Sequence, residues 1–179
     1  MAIIYEASLN PTKAQLLERI LGQAVTVLGT YRFDDPGGEV GVEAFIVRSG
    51  ARTEHGVLTY RGAPFEGGEE DLVSTMEHSV LGRRWVYNGT GDPVAVACFR
   101  RALRGEQDQA VEEVWDNGQR IGTRAPTVRI SVVPGQRLGA DAAPTIASIV
   151  PRNARTVHHA ERDVPTLRPP AEKTDTHKG

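Results

Sequence analysis

Three runs of alternating residues, separated only by turn chemistry, constrain this chain more than any other feature. Between residues 25 and 33, Val25, Val27, Tyr31 and Phe33 alternate with Thr26, Thr30 and Arg32. Glu39 to Arg48 puts Val40, Val42, Ala44 and Ile46 on one side, and His55 to Tyr60 is a third run. A period of two is the signature of a strand, since successive side chains leave opposite faces. Asp34-Asp35-Pro36-Gly37-Gly38 separates the first two runs. Proline presets φ there and glycine accepts positive φ, so the segment reads as a turn. Gly50 to Glu54 separates the second and third runs in the same way. Consecutive strands joined this tightly predict an antiparallel meander.

Helical signals flank the meander. Asn10-Pro11 predicts a helix start with Asn as cap and Pro in the first position. Leu16, Leu17, Ile20 and Leu21 then form an apolar stripe opposite Lys13, Gln15, Glu18 and Arg19, and Gly22 ends the helix. Asp92-Pro93 repeats the start, with Gly105 as the stop. Val94 to Leu103 is apolar nearly all round except at Arg100 and Arg101, so this second helix is expected to lie deeper. Residues 2 to 8 and Val80 to Tyr87 read as strands, and Glu69 to Met76 as a short helix. Ala110 to Trp115 and Gln119 to Val133 read as a last hairpin around Asp116-Asn117-Gly118. The expected fold class is α+β, a curved antiparallel sheet packed with two main helices; a partly closed barrel is the alternative.

The character of the chain changes after Val133. No aromatic residue follows Trp115, and six of the eleven prolines lie from Pro134 onward. The expected division is a folded domain over 1–133 and a mobile, Pro- and charge-rich tail over 134–179. Pro144 to Val150 is the one mildly apolar patch in that tail.

Several function classes lack their signatures. The net charge of −2 supplies no basic field for nucleic acid or an anionic membrane. No apolar run approaches the length of a membrane span, and the N-terminus lacks the basic start and cleavage site of a signal peptide, so a cytoplasmic location is expected. The single cysteine, Cys98, excludes an intramolecular disulfide and reads as a buried structural thiol. There is no glycine-rich phosphate loop with Lys-Ser/Thr and no Gly-x-Gly-x-x-Gly after a strand. Asp34 and Asp35 lack the alternating oxygen ligands of a calcium loop, and His158-His159 has no Cys/His partners nearby. Neither a metal nor a cofactor is expected. Glu77-His78-Ser79 sets an acid, a base and a hydroxyl side by side, but chain neighbours point apart, so no catalytic residue is assigned.

Residues 58 to 94 hold four of the ten aromatic residues: Tyr60, Phe65, Trp85 and Tyr87. Arg61, Glu77, His78, Arg83 and Arg84 are interleaved with them. Aromatic faces flanked by arginine suit carbohydrate or protein partners. The candidate binding residues are therefore Tyr60, Arg61, Glu77, His78, Arg83 and Arg84. Alternation sets Arg84 and Trp85 on opposite faces. Arg61 and Arg84 are expected to reach the partner while Trp85 supports the sheet; the other reading has Trp85 and Tyr87 filling the core.

One family resemblance is carried by these stretches together. The residues are Met-Ala-Ile-Ile (1–4), Leu-Asn-Pro-Thr-Lys (9–13) and Asp-Asp-Pro-Gly-Gly-Glu-Val-Gly-Val-Glu (34–43). Leu-Thr-Tyr-Arg-Gly-Ala-Pro (58–64), Glu-His-Ser-Val-Leu-Gly-Arg-Arg-Trp-Val-Tyr (77–87) and Asp-Pro-Val (92–94) follow. Their order over residues 1 to 133 resembles stand-alone actinobacterial proteins built on the N-terminal cap domain of maltokinase. That resemblance implies a curved antiparallel sheet partly wrapping a helix, and a link to maltose, trehalose or α-glucan metabolism. It does not imply phosphoryl transfer, because no His-Gly-Asp catalytic loop and no second kinase lobe follow residue 133. The expected function is a non-catalytic binding or regulatory module acting on a saccharide or on a kinase-like or glucan-metabolising protein. The alternatives are a small saccharide-active enzyme and a structural homo-oligomer.

Overall fold

The computed structural model describes residues 1–131 and the backbone of 148–151 and 157–158. Its centre is a six-stranded antiparallel sheet. The elements are β1 (Ala2–Tyr5), β2 (Leu9–Asn10), α1 (Lys13–Leu21), β3 (Thr26–Phe33), β4 (Gly41–Ser49) and β5 (Arg52–Arg61). Then come β6 (Leu72–His78), β7 (Gly82–Asn88), α2 (Pro93–Leu103), β8 (Glu112–Asp116), β9 (Gln119–Arg124) and β10 (Val128–Ile130). The last two are β11 (Ser148–Pro151) and β12 (Val157–His158). The central sheet runs in the order β2-β6-β7-β5-β4-β3, and two smaller sheets are β1-β8-β9 and β10-β11-β12. The fold is α+β: a curled antiparallel sheet with two helices.

Each face of the central sheet carries one helix. On one face Val40, Val42, Ala44 and Ile46 meet Ala95, Cys98, Phe99 and Ala102 of α2. On the other, Phe45, Val47, Leu58, Met76 and Val86 meet Leu16 and Leu17 of α1. Strand β4 is thus buried on both sides, and only its α2 face is the apolar set counted from the alternation. Helix α1 packs so closely on β5 that a Cβ at Gly56 would lie 2.8 Å from a methyl of Leu17.

Helix α2 follows its sequence signals. Asp92 caps it, accepting a hydrogen bond from the amide of Val94 at 2.9 Å. Gly105 stops it at a φ of 71°. It buries four residues against two in α1, as its apolar circumference implies. The Cys98 thiol is fully buried, and burial pushes its pKa up.

Four local expectations are corrected. Helix α1 begins after Thr12, not at Asn10-Pro11: the Thr12 hydroxyl accepts from the amide of Gln15, whose side chain accepts from the amide of Thr12. That reciprocal box satisfies two end donors, which Asn10 does not do. Asn10 instead pairs with Glu77 as part of β2. Residues 72–78 are strand β6, not helix, preceded by one 3-10 turn over Glu69–Asp71. Strand β3 bulges between Val27 and Gly29, so Val25 packs toward α1 while Tyr31 and Phe33 pack toward α2. A bulge inserts one residue and breaks the period of two. The final hairpin turns at Asn117-Gly118, both at positive φ, which suits a two-residue loop. Its strand ends at Arg124, however, and β8 pairs in parallel with β1 to form a sheet of its own.

Within the stretch assigned to a tail, the backbone of β11 pairs antiparallel with β10 and with β12. The rest of 134–179 lies outside the described residues. Among the described residues no helix is long and apolar enough to cross a membrane.

Candidate functional site: a charged cavity under β1

The α1 face of the sheet buries one carboxylate. Glu43 follows Val42 in β4, and alternation turns it toward the start of α1, where it is 1% exposed. A carboxylate buried that far needs charged and hydrogen-bonding partners. Lys13, the first residue of α1, places its Nζ 2.7 Å from Oε2. Arg32, directly opposite Glu43 on β3, donates from Nη2 at 2.8 Å, and the Tyr60 hydroxyl donates at 3.1 Å from β5. Burial pushes the Glu43 carboxyl up. Arg32 and Lys13, with the hydrogen bonds from Lys13 and Tyr60, outweigh it and hold the group below the usual carboxylate range. Burial and the Glu43 charge together push the Tyr60 phenol well above its ordinary value.

This cluster forms part of the wall of a cavity of about 570 Å³, bounded also by β1 and the 34–41 turn. Lys13, Arg32, Tyr60, Met76, His78 and Arg84 line it. His78 ends β6, and its Nδ1 accepts from the amides of Val80 and Leu81 at 3.2 and 3.1 Å. With Nδ1 accepting, the neutral ring carries its proton on Nε2. Tyr5 of β1 meets this ring edge-on, with centroids 6.2 Å apart. Burial holds the imidazole below its ordinary value, and the charges of Arg84, Lys13 and Arg32 add to that. Three cations therefore act on one ring. Arg84 donates from Nη2 to the carbonyl of Leu81 at 2.8 Å. Among the described residues no carboxylate lies within ion-pair distance of it. The Nε atoms of both Arg32 and Arg84 are buried without a partner.

The sheet separates the six candidate binding residues. Tyr60, His78 and Arg84 share the α1 face and line the cavity. Arg61 stands on the opposite face, across from Trp85, so it is not beside Arg84 as the sequence reading held. Its guanidinium grips Asp92 with Nε at 2.8 Å and Nη2 at 2.7 Å, and stacks over Phe65 at 4.2 Å. Thr59 donates to the same carboxylate at 2.7 Å. That cluster fastens the start of α2 to the sheet. Glu77 and Arg83 pair with each other at 2.8 Å in the open, 58% and 63% exposed. Trp85 is half-buried opposite Arg84, and Tyr87 is buried against Phe65.

Lys13, Arg32 and Glu43 were missing from the sequence-derived set. The signal was present: a lone acid inside Val-Glu-Ala-Phe-Ile-Val, on a strand flanked by two others, has to find cations on its neighbours. Asp35 lines the cavity too, with Asp34 and Glu39 from the same turn. Its carboxylate accepts from the amides of Gly37, Glu39 and Val40, which fixes the turn.

A curled sheet between two helices thus carries a cavity of about 570 Å³ on one face. Residues 19–92 match the family model of the maltokinase N-terminal cap domain. The match runs from the last turn of α1 to the residue that caps α2. No curated protein and no solved structure matches the chain.

Proposed function

We propose that this protein is a non-catalytic binding module of the maltokinase-cap type, which takes a small molecule of saccharide metabolism into the cavity beneath β1. The cavity carries this reading: its volume of about 570 Å³ falls within the span of ligand pockets, and polar groups converge on it from α1, β3, β5, β6 and β7. The cap match supports the link to saccharide chemistry. An enzyme built on Glu77 and His78 finds no support, since the two leave opposite faces of β6 and Glu77 is tied to Arg83.

The test has two arms. Incubation with ATP, magnesium and maltose is expected to yield no sugar phosphate in proportion to protein. Thermal unfolding is then followed with a panel of mono- and disaccharides and their phosphates. At least one is expected to raise the midpoint by mass action, and Ala7→Phe, which fills the cavity from its wall, is expected to abolish that rise. Turnover that survives re-purification, or a midpoint that no panel member moves, contradicts the proposal.

A further inference from the structure

Elements α1, β3 and β7 bring cations together on the wall of the cavity. Lys13, Arg32 and Arg84 line it, and Arg124 is close enough to act on Lys13. Glu43 takes Lys13 and Arg32, and Glu112 takes Arg124 at 2.6 Å, so on this wall Arg84 is left without a carboxylate at ion-pair distance among the described residues. The 34–41 turn adds Asp34, Asp35 and Glu39 to the lining; Asp34 pairs with the Met1 amine and the Asp35 carboxylate is held by backbone amides.

The hydrogen-bond inventory points the same way. Four buried side-chain polar atoms lack a partner among the described residues, and two of them are Nε of Arg32 and Nε of Arg84. Buried donors are almost always satisfied, so a guanidinium left short of acceptors in the wall of a cavity calls for one. Both guanidinium groups already have one nitrogen tethered, by Glu43 and by the Leu81 carbonyl. Their planes are thereby fixed, and little freedom remains to be lost on binding. His78 adds a neutral donor, because its Nδ1 is occupied and its remaining ring N–H is not hydrogen-bonded to any described residue.

We infer that the cavity binds a ligand through a doubly charged oxyanion of the phosphate-monoester class, held by Lys13, Arg32 and Arg84 with His78 as a neutral donor. A phosphate monoester brings three acceptor oxygens and a charge near −2 at neutral pH, enough to serve several of these donors at once. A carboxylate brings two oxygens and half that charge. Guanidinium forks suit the tetrahedral oxygens bidentately. The hollow holds more than a phosphate, and Ile4, Tyr5, Leu9, Met76 and Leu81 offer apolar surface for the organic part. This inference rests on the binding-module reading above and adds the chemistry of its ligand.

The experiment is calorimetry on the full chain with inorganic phosphate, glycerol 2-phosphate and glycerol as probes. Both phosphates are expected to bind in competition with each other, more weakly as salt rises, while glycerol does not bind. Arg84→Gln is expected to weaken phosphate binding about tenfold or more, Arg84→Lys to restore part of it, and Arg83→Gln to leave it unchanged. Arg83 is the control because it lies in solvent with Glu77. Unfolding midpoints of the unliganded variants check that each is folded. Should Arg84→Gln fail to fold, displacement of the His78 imidazole signal by phosphate in the wild-type protein replaces it as the readout. Absence of phosphate binding, or equal weakening by Arg83→Gln and Arg84→Gln, overturns the inference. If the panel contains a neutral saccharide that binds while both phosphates do not, the oxyanion assignment falls and the binding module stands. If nothing binds, both fall.

Discussion

Glu43→Gln is expected to lower folding stability by about 3–5 kcal/mol, the range for breaking a buried ion cluster from one side. The substitution keeps the volume and removes the charge. Arg32, 12% exposed, and Lys13, 27% exposed, then face each other without the carboxylate that separates them. The Tyr60 hydroxyl keeps an acceptor, so the loss is mainly that of charge. Urea unfolding of wild type and variant measures it. A loss below about 1 kcal/mol would mean that water reaches the cluster and screens it as it does a surface pair. The pH dependence has a definite sign. Glu43 titrates lower in the folded chain than in the unfolded one, where a glutamate titrates near 4.3. Its contribution is therefore full above that value and is lost as pH falls through the depressed folded value. His55, held down to about 4 by burial against an unfolded value near 6.5, also erodes stability on acidification, but at higher pH. The difference between wild type and Glu43→Gln isolates the glutamate: it is expected to be flat from pH 7 to about 5 and to shrink below that.

Asp92→Ala is expected to cost a similar 3–5 kcal/mol on the opposite face. The carboxylate is fully buried and serves three donors at once: the Arg61 fork, the Thr59 hydroxyl and the Val94 amide that opens α2. Loss of the cap alone is worth about 1 kcal/mol. The larger part comes from leaving Arg61, 15% exposed, and the wholly buried Thr59 without their acceptor. Asp92→Asn keeps the shape and one acceptor oxygen, so its loss should be clearly smaller. Equal losses for the two variants in the same urea experiment would show that charge at this position does not matter. If phosphate binding per folded molecule also fell in Asp92→Ala, the separation of the two faces would be wrong.

The parts of the fold that the sequence discloses are those fixed by local chemistry. The meander follows from alternation and from Pro-Gly turns, and α2 from Asp92, Pro93 and Gly105. What it hides depends on distant partners. Nothing local says that Leu28 bulges; the register with β4 reveals it. Leu72 to His78 carries no clean period, and becomes a strand because β7 and β2 offer it ladders on both sides. The pairing of β1 with β8 joins residues more than a hundred positions apart.

The site was half legible for the same reason. Tyr60, His78 and Arg84 stood out as polar or aromatic residues amid turns, and they converge on the cavity. Arg61 has the same local appearance, yet one step along β5 puts it on the far face with Asp92. Lys13 read as part of a wet helix face, because nothing in α1 announces the acid that β4 presents to it. A strand buried on both sides gives its neighbours two destinations, and alternation alone does not say which of them is the cavity.

Resonance mapping by two-dimensional amide NMR, with histidine imidazole signals followed alongside, tests the central claim most directly. The protein is titrated with glycerol 2-phosphate at constant ionic strength. The account predicts shifts concentrated at Lys13, Arg32, Tyr60, Leu81 and Arg84, with the His78 imidazole moving with them and Arg61, Asp92, Glu77 and Arg83 still. Shifts centred on Arg61 or on the Glu77–Arg83 pair, or none at saturating phosphate, would contradict it.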